Sequence, residues 1–167
     1  MYVLTVDEHL VETAKARCRA QREMAVSAAQ LFATLADGPS WSKWVLGIRE
    51  VNWTSPKPFA KGTTRTVKMV GGIRVDEVFW AWEPNRRMGF SITAMSKGWV
   101  SALAELYEIT PVSSERCTVR WTLAPSYAGL LRRIEPVLKR SLPMAQKHML
   151  RTLERVARAR CAPTQRD

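Results

Sequence analysis

LRRIEPVLKRSLPMAQKHMLRTLERVAR, residues 131–158, decides how this chain folds. Its apolar side chains fall at Leu131, Ile134, Leu138, Leu142, Ala145, Met149, Leu153 and Val156, always three or four residues apart. That is the period of an α-helix with one buried face. Arg132, Arg133, Lys139, Arg140, Lys147, Arg151, Arg155 and Arg158 take the other side. Pro136 and Pro143 interrupt the run, which predicts a short turn to 135 and then a long helix bent near 143. Everything upstream reads as short strands, so the helix must bury its stripe on the sheet they form. The core then lies between helix and sheet, and a curved sheet makes room there for a ligand.

Turn chemistry divides the upstream chain. Strands are predicted near 48–54, 63–70, 73–83, 87–95, 99–110 and 116–124, separated by Ser55-Pro-Lys-Pro58, Gly71-Gly72, Glu83-Pro-Asn85, Ser96-Lys-Gly98 and Pro111-Val-Ser-Ser114. Short connections between successive strands favour antiparallel pairing. A further strand is expected within 16–26. Ser27-Ala-Ala-Gln30 then has capping-box spacing and opens a helix that Asp37-Gly38-Pro39 stops, with one more helical turn at Ser40–Trp44. Residues 1–15 are expected to form an N-terminal extension with a short helix, because Thr5-Val-Asp-Glu8 repeats the capping spacing. The domain proper is placed at 16–161 and a flexible C-terminus at 162–167.

At 167 residues with 46% hydrophobic content, the chain is sized and composed as one globular domain. No apolar run approaches the ~20 residues of a membrane span. The first residues lack the basic-then-apolar pattern of a secretory signal, so a cytoplasmic protein is expected. Cys18, Cys117 and Cys161 are too scattered for a disulfide framework or a zinc site. The net charge is +11, and residues 132–160 hold nine Lys/Arg against Glu135 and Glu154. Such a field suits anionic partners, an acidic membrane surface among them. Nucleic acid is not favoured, since the basic stretches lack interleaved stacking aromatics. Monomer and homodimer both stay open.

The order of elements, and three stretches within it, resemble a known group. Ser27-Ala-Ala-Gln-Leu-Phe-Ala-Thr-Leu-Ala-Asp with Trp41-Ser-Lys-Trp44, then Lys61-Gly-Thr63, then Glu83-Pro-Asn-Arg-Arg-Met-Gly-Phe90 are similar to the START-like or Bet v 1-like superfamily, specifically its bacterial polyketide cyclase/dehydrase and lipid-transport group. The resemblance covers roughly residues 16–160. It implies an α+β helix-grip fold: a strongly curved antiparallel sheet of about seven strands wrapped around the C-terminal helix, with two short helices between the first and second strands. It also implies an apolar cavity for lipids, sterols, quinones or polyketides, and in some members polyketide cyclisation. Fold alone assigns no activity.

Strand alternation and helix phase nominate cavity-lining residues: Trp44, Val67, Met69, Phe79, Phe90, Ile92, Trp121, Leu123, Met149 and Leu153. Arg65, Arg74, Asp76, Glu77, Glu105 and Tyr107 interrupt or adjoin apolar strand stretches. A charge on an inward face demands a partner or a ligand. Arg65 with Tyr107, or Arg74 with Glu77, are the candidate pairs for acid–base work and for holding an oxyanion. The stretch 73–83 is apolar on both faces, with Phe79 and Ala81 but also Val78, Trp80 and Trp82, which leaves its outer face open to a dimer or membrane contact. No metal-ligand cluster, HExxH, GxSxG, P-loop or GxGxxG occurs, so neither metal nor cofactor is expected. The expectation is a carrier of a small hydrophobic ligand. The rival expectations are a cyclase on the same scaffold and an interaction module working through its basic surface.

Overall fold

The computed structural model describes residues 1–161; the stretch expected to be a flexible C-terminus, 162–167, lies outside the described residues. Strands β1 (Tyr2–Val3), β2 (Cys18–Met24), β3 (Ile48–Trp53), β4 (Thr64–Met69), β5 (Arg74–Glu83), β6 (Arg87–Met95), β7 (Val100–Ser113) and β8 (Arg116–Tyr127) form one sheet. Its order is β2-β8-β7-β6-β5-β4-β3, all neighbours antiparallel, with the two-residue β1 added to the end of β6. Helices α1 (Leu10–Thr13), α2 (Ala28–Leu35), α3 (Trp41–Trp44) and α4 (Glu135–Cys161) complete the chain. The curved sheet and long terminal helix are those expected.

The capping box at α2 forms as its spacing predicts. Ser27 Oγ accepts from the Gln30 N–H at 3.1 Å, and Gln30 Oε1 accepts from the Ser27 N–H at 2.8 Å. Ser27→Ala is expected to lower stability by about 1 kcal/mol in chemical denaturation, the usual effect of losing an N-cap. The box expected at Thr5–Glu8 does not form. Asp7 Oδ1 accepts from the His9 N–H instead, and α1 begins only at Leu10.

Two corrections concern phase. On α4 the buried side chains are Gln146, Met149, Leu150, Leu153 and Ala157, whereas Ile134 is exposed and Val156 only half-buried. The buried face is thus rotated from the stripe marked by apolar residues, because α4 rests on β2, α2 and α3 rather than flat across the sheet. Pro136 sits in the first turn of α4, where a missing N–H leaves no bond unmade. The two-faced pattern of 73–83 is resolved by a bulge. Phe79 pairs with Phe90 and Ala81 with Gly89, leaving Trp80 as the extra residue. Phe79 and Trp82 then both reach the interior aromatic cluster, 5.2 Å apart between ring centres.

Trp80 instead lies across Gly89, where a Cβ would stand 2.5 Å from its ring. Gly89→Ala should therefore lower stability by about 1–3 kcal/mol as an overpacking change, with most of the loss removed in a Trp80→Ala background. Beside Trp80, the outer face of β7 and β8 carries Ala102, Leu106 and Ala124, covered by Leu10 and Val11 of α1. The chain's own N-terminus thus covers this part of the back of the sheet, and Trp80, on the outer side of 73–83, packs against the same cluster.

Candidate functional site

Alternation along β4, β5 and β7 places four polar side chains on the inner face. Arg65, Glu77 and Tyr107 are buried there, and Glu105 lies next to Tyr107 in β7's inward set. Arg65 Nε donates to Glu77 Oε2 at 2.5 Å across the β4–β5 pair. Its guanidinium carbon sits 3.9 Å from the ring centre of Trp41 and 4.6 Å from that of Phe90. Aromatic faces thus supply part of the stabilisation that water would give an exposed arginine. One carboxylate oxygen of Glu105, Oε2, accepts from Tyr107 Oη at 2.8 Å and from Trp121 Nε1 at 2.9 Å.

The electrostatics follow from burial. Desolvation, reinforced by the negative charge of Glu77, pushes Glu105 up to about 7, against the opposing pull of its two hydrogen bonds. Burial likewise raises Glu77, with Arg65 acting in the opposite sense. Tyr107 is raised well above its ordinary value by burial and the adjoining Glu105. The cluster therefore holds one permanent cation and one carboxyl able to exchange its proton near neutral pH.

Hydrogen bonding in the interior is incomplete. Arg65 Nη1, Trp44 Nε1 and Gln146 Oε1 are buried and find no hydrogen-bond partner among the described residues. Gln146 reaches from α4 to the Trp121 carbonyl at 3.5 Å through its amide nitrogen, leaving the oxygen free. Two donors and one acceptor thus remain for a polar function within an aromatic surround.

Covering of the inner face is also uneven. Tyr107 and Trp121 are sealed, stacked 5.4 Å apart with Trp44 edge-on to both. One step along the same strands, Leu103, Glu105 and Leu123 stay half-buried, although neither β7 nor β8 is an edge strand. Leu138 and Leu142 of α4, in line with the buried Gln146, are half-buried too. Inward side chains on central strands keep accessible surface only where the covering layer stands off from them. Leu103, Glu105 and Leu123 are such side chains.

The residues nominated from sequence distribute as follows. Trp44, Val67, Phe79, Phe90, Ile92, Trp121, Met149 and Leu153 are buried in one continuous core, with Met69 packed against its edge and Leu123 within the half-buried patch. Of the polar candidates, Arg65, Glu77 and Tyr107 come together, but in other pairs than expected. Arg65 binds Glu77, and Tyr107 binds Glu105. Arg74 is corrected outright: it is exposed on the outward face of β5 and pairs with Asp76 at 3.1 Å. Glu105 was recognised as a polar break in a strand without being given a role. Gln146 was passed over, although its place one turn from Leu142 and Met149 puts it on the apolar stripe.

The family described as polyketide cyclase / dehydrase and lipid transport matches residues 15–158. This chain belongs to that family. An uncharacterised protein of Mycobacterium tuberculosis is 41% identical to it over 156 residues, 93% of each chain. Among solved structures, a START superfamily protein from Mycobacterium smegmatis superposes with a TM-score of 0.71 at 13% identity, covering 86% of this chain and 98% of that one. The Zhui aromatase/cyclase of a Streptomyces species superposes with a TM-score of 0.71 at 11% identity, covering 89% of this chain and 97% of that one. At such identities the structural likeness is one of fold. In the terms of the family, the sheet and α4 form the grip, and the Arg65–Glu77–Glu105–Tyr107 cluster lies inside it. No helix among the described residues is long and apolar enough to cross a membrane.

Proposed function

We propose that the protein binds a small hydrophobic molecule bearing an oxygen function, held between the inner face of β7–β8 and the first half of α4. The observation that carries this reading is the half-buried patch of Leu103, Glu105 and Leu123, which lies on central strands next to the fully buried Tyr107 and Trp121. An apolar body placed there leaves water for a wall of leucine and aromatic side chains, gaining about 25 cal/mol per Å² of apolar surface removed. Its oxygen would meet Arg65 Nη1–H or Trp44 Nε1–H, donors left unpaired among the described residues. Membership of a family that includes lipid transport supports the same reading.

The test is native mass spectrometry of protein purified from its own host, followed by extraction of what accompanies it. Wild type should carry a hydrophobic molecule, and the space-filling variants Leu123→Trp and Ala145→Phe should lose it while keeping their circular dichroism. A wild type that binds neither host extract nor an apolar fluorescent probe, or variants that bind as well as wild type, would end the proposal.

One observation favours a second reading, an aromatase/cyclase acting on a polyketide in the same place. A carboxyl titrating near neutrality beside a fixed guanidinium suits proton abstraction next to a carbonyl. Ionised Glu105 would take the proton from carbon, and Arg65 would hold the enolate oxygen that results. The readings separate cleanly. If Glu105→Gln retains affinity but loses turnover of a poly-β-ketone, the enzyme reading stands; if no turnover is found in wild type, it falls.

A further inference from the structure

One end of the sheet gathers nearly all the large apolar side chains that the described residues expose. Here β3 and β5 begin, β4 and β6 end, β7 begins and β8 ends, so the connecting loops form a single rim. The Val70 N–H donates to the Gly47 carbonyl at 2.8 Å, Ser96 to Arg74 at 2.9 Å, and Ala128 to Trp99 at 2.8 Å. A Cβ on Gly98 would stand 3.2 Å from the Tyr2 ring, and one on Gly129 would stand 3.7 Å from the Gly98 carbonyl oxygen. The rim is therefore continuous from β1 to the start of α4.

On its three loop tips stand Leu46, Val70 and Trp99, all exposed, and Tyr2 and Val3 of β1 adjoin them. The segment that leads away from it presents Leu130, Val137 and Met144 to solvent at 73%, 66% and 74% exposure. Val6, between β1 and α1, and Val112, at the far β7–β8 turn, are the exposed large apolar residues among the described residues that lie outside this region. Single exposed apolar residues need no explanation, but a one-sided gathering marks a contact surface. Interspersed with them are Lys97, Arg132, Arg133 and Arg140, exposed and without an ion-pair partner among the described residues. The carboxylates nearby are already engaged: Asp76 with Arg74, and Glu135 with Lys139 at 2.8 Å.

We propose that this rim and the first half of α4 form a docking face for the surface of an acidic lipid bilayer. Apolar and aromatic side chains projecting from among free cations are what such a surface accepts: the former enter between headgroups and the latter pair with lipid phosphates. A second copy of the chain fits the face poorly, because a two-fold axis would set the same unpaired cations against each other. A nucleic acid offers phosphates but no apolar layer for Leu130, Val137 and Met144. The surface is distinct from the interior cluster, and docking does not depend on what the interior holds.

The experiment is flotation of the full chain with vesicles of phosphatidylcholine alone, and of phosphatidylcholine with roughly one-third phosphatidylglycerol. Binding is expected to the acidic vesicles and to fall at least about tenfold without the acidic lipid. The exposed triple variant Leu130→Ser/Val137→Ser/Met144→Ser and the charge variant Arg132→Glu/Arg133→Glu should each weaken binding by roughly tenfold or more. The fluorescence shift on binding should shrink in Trp99→Phe. Leu123→Trp, which alters only the interior, should bind as wild type, so failure of the ligand reading leaves this test intact. Binding to neither vesicle, binding that survives the apolar triple variant, or self-association in sedimentation that the same variant abolishes would each overturn the proposal.

Discussion

Replacing Glu77 with alanine is expected to lower stability by about 3–5 kcal/mol, the range found when one partner of a buried ion pair is removed. The Arg65 guanidinium would be left inside the core with Nη1 already unpaired and its bond to Glu77 lost. Its aromatic surround compensates only part of the lost pairing, since a cation–π contact contributes about 0.5–2 kcal/mol. Against a total stability of about 5–15 kcal/mol for an ordinary domain, the variant is near the limit of folding. The double variant Arg65→Met/Glu77→Met should recover most of the loss, because two apolar side chains of similar volume leave no buried charge. Chemical denaturation of wild type, Arg65→Met, Glu77→Met and the double variant gives the coupling directly. If the single and double variants are equally unstable, the loss is one of packing and not of an uncompensated charge.

Glu105 carries the second large effect, and its sign runs opposite to that of a surface carboxylate. Its ordinary value is 4.5 and its folded value about 7, so over this window the folded protein holds a proton that the unfolded chain has released. Stability is therefore full below 4.5 and declines as pH rises through about 7, by about 3 kcal/mol in all. Glu105→Gln should remove most of that decline, leaving the smaller contribution of Glu77, whose shift has the same direction. Denaturation midpoints measured across the window decide it. Parallel pH profiles for wild type and Glu105→Gln would mean that the carboxyl titrates normally and that the interior is wetter than its hydrogen bonds suggest.

The sequence disclosed strand positions well because each break carries its own chemistry: prolines at 56 and 58, glycines at 71 and 72, Pro-Asn at 84–85. The capping box at Ser27 was legible for the same reason, being local. What it concealed was settled by partners distant along the chain. Arg65 and Arg74 look alike in their strands, yet Arg65 pairs in register with Glu77 on the inner face and Arg74 shares the outward face with Asp76. The parity of β5 could not be read through Trp80, because a bulge inserts one residue and lets Phe79 and Trp82 both point inward. On α4, apolarity marked Val156 rather than Ala157, while burial by β2, α2 and α3 selects by position and accepts even Gln146. The site was half visible on the same grounds. Charges within strands announce themselves, but which pair forms depends on register.

The fold also bears on how much of the chain the folded unit needs. The family match opens at residue 15, yet Leu4 is sunk in the main core, Tyr2 and Val3 lengthen the sheet, and Leu10 and Val11 roof the alanine- and leucine-lined back of β7 and β8. Those fourteen preceding residues act as a bandage wound around the reverse of the grip. The span shared by the family is, in this chain, not self-sufficient: stripped of its wrapping it would bare a sticky plane of sheet, inviting copies of the protein to clump back to back.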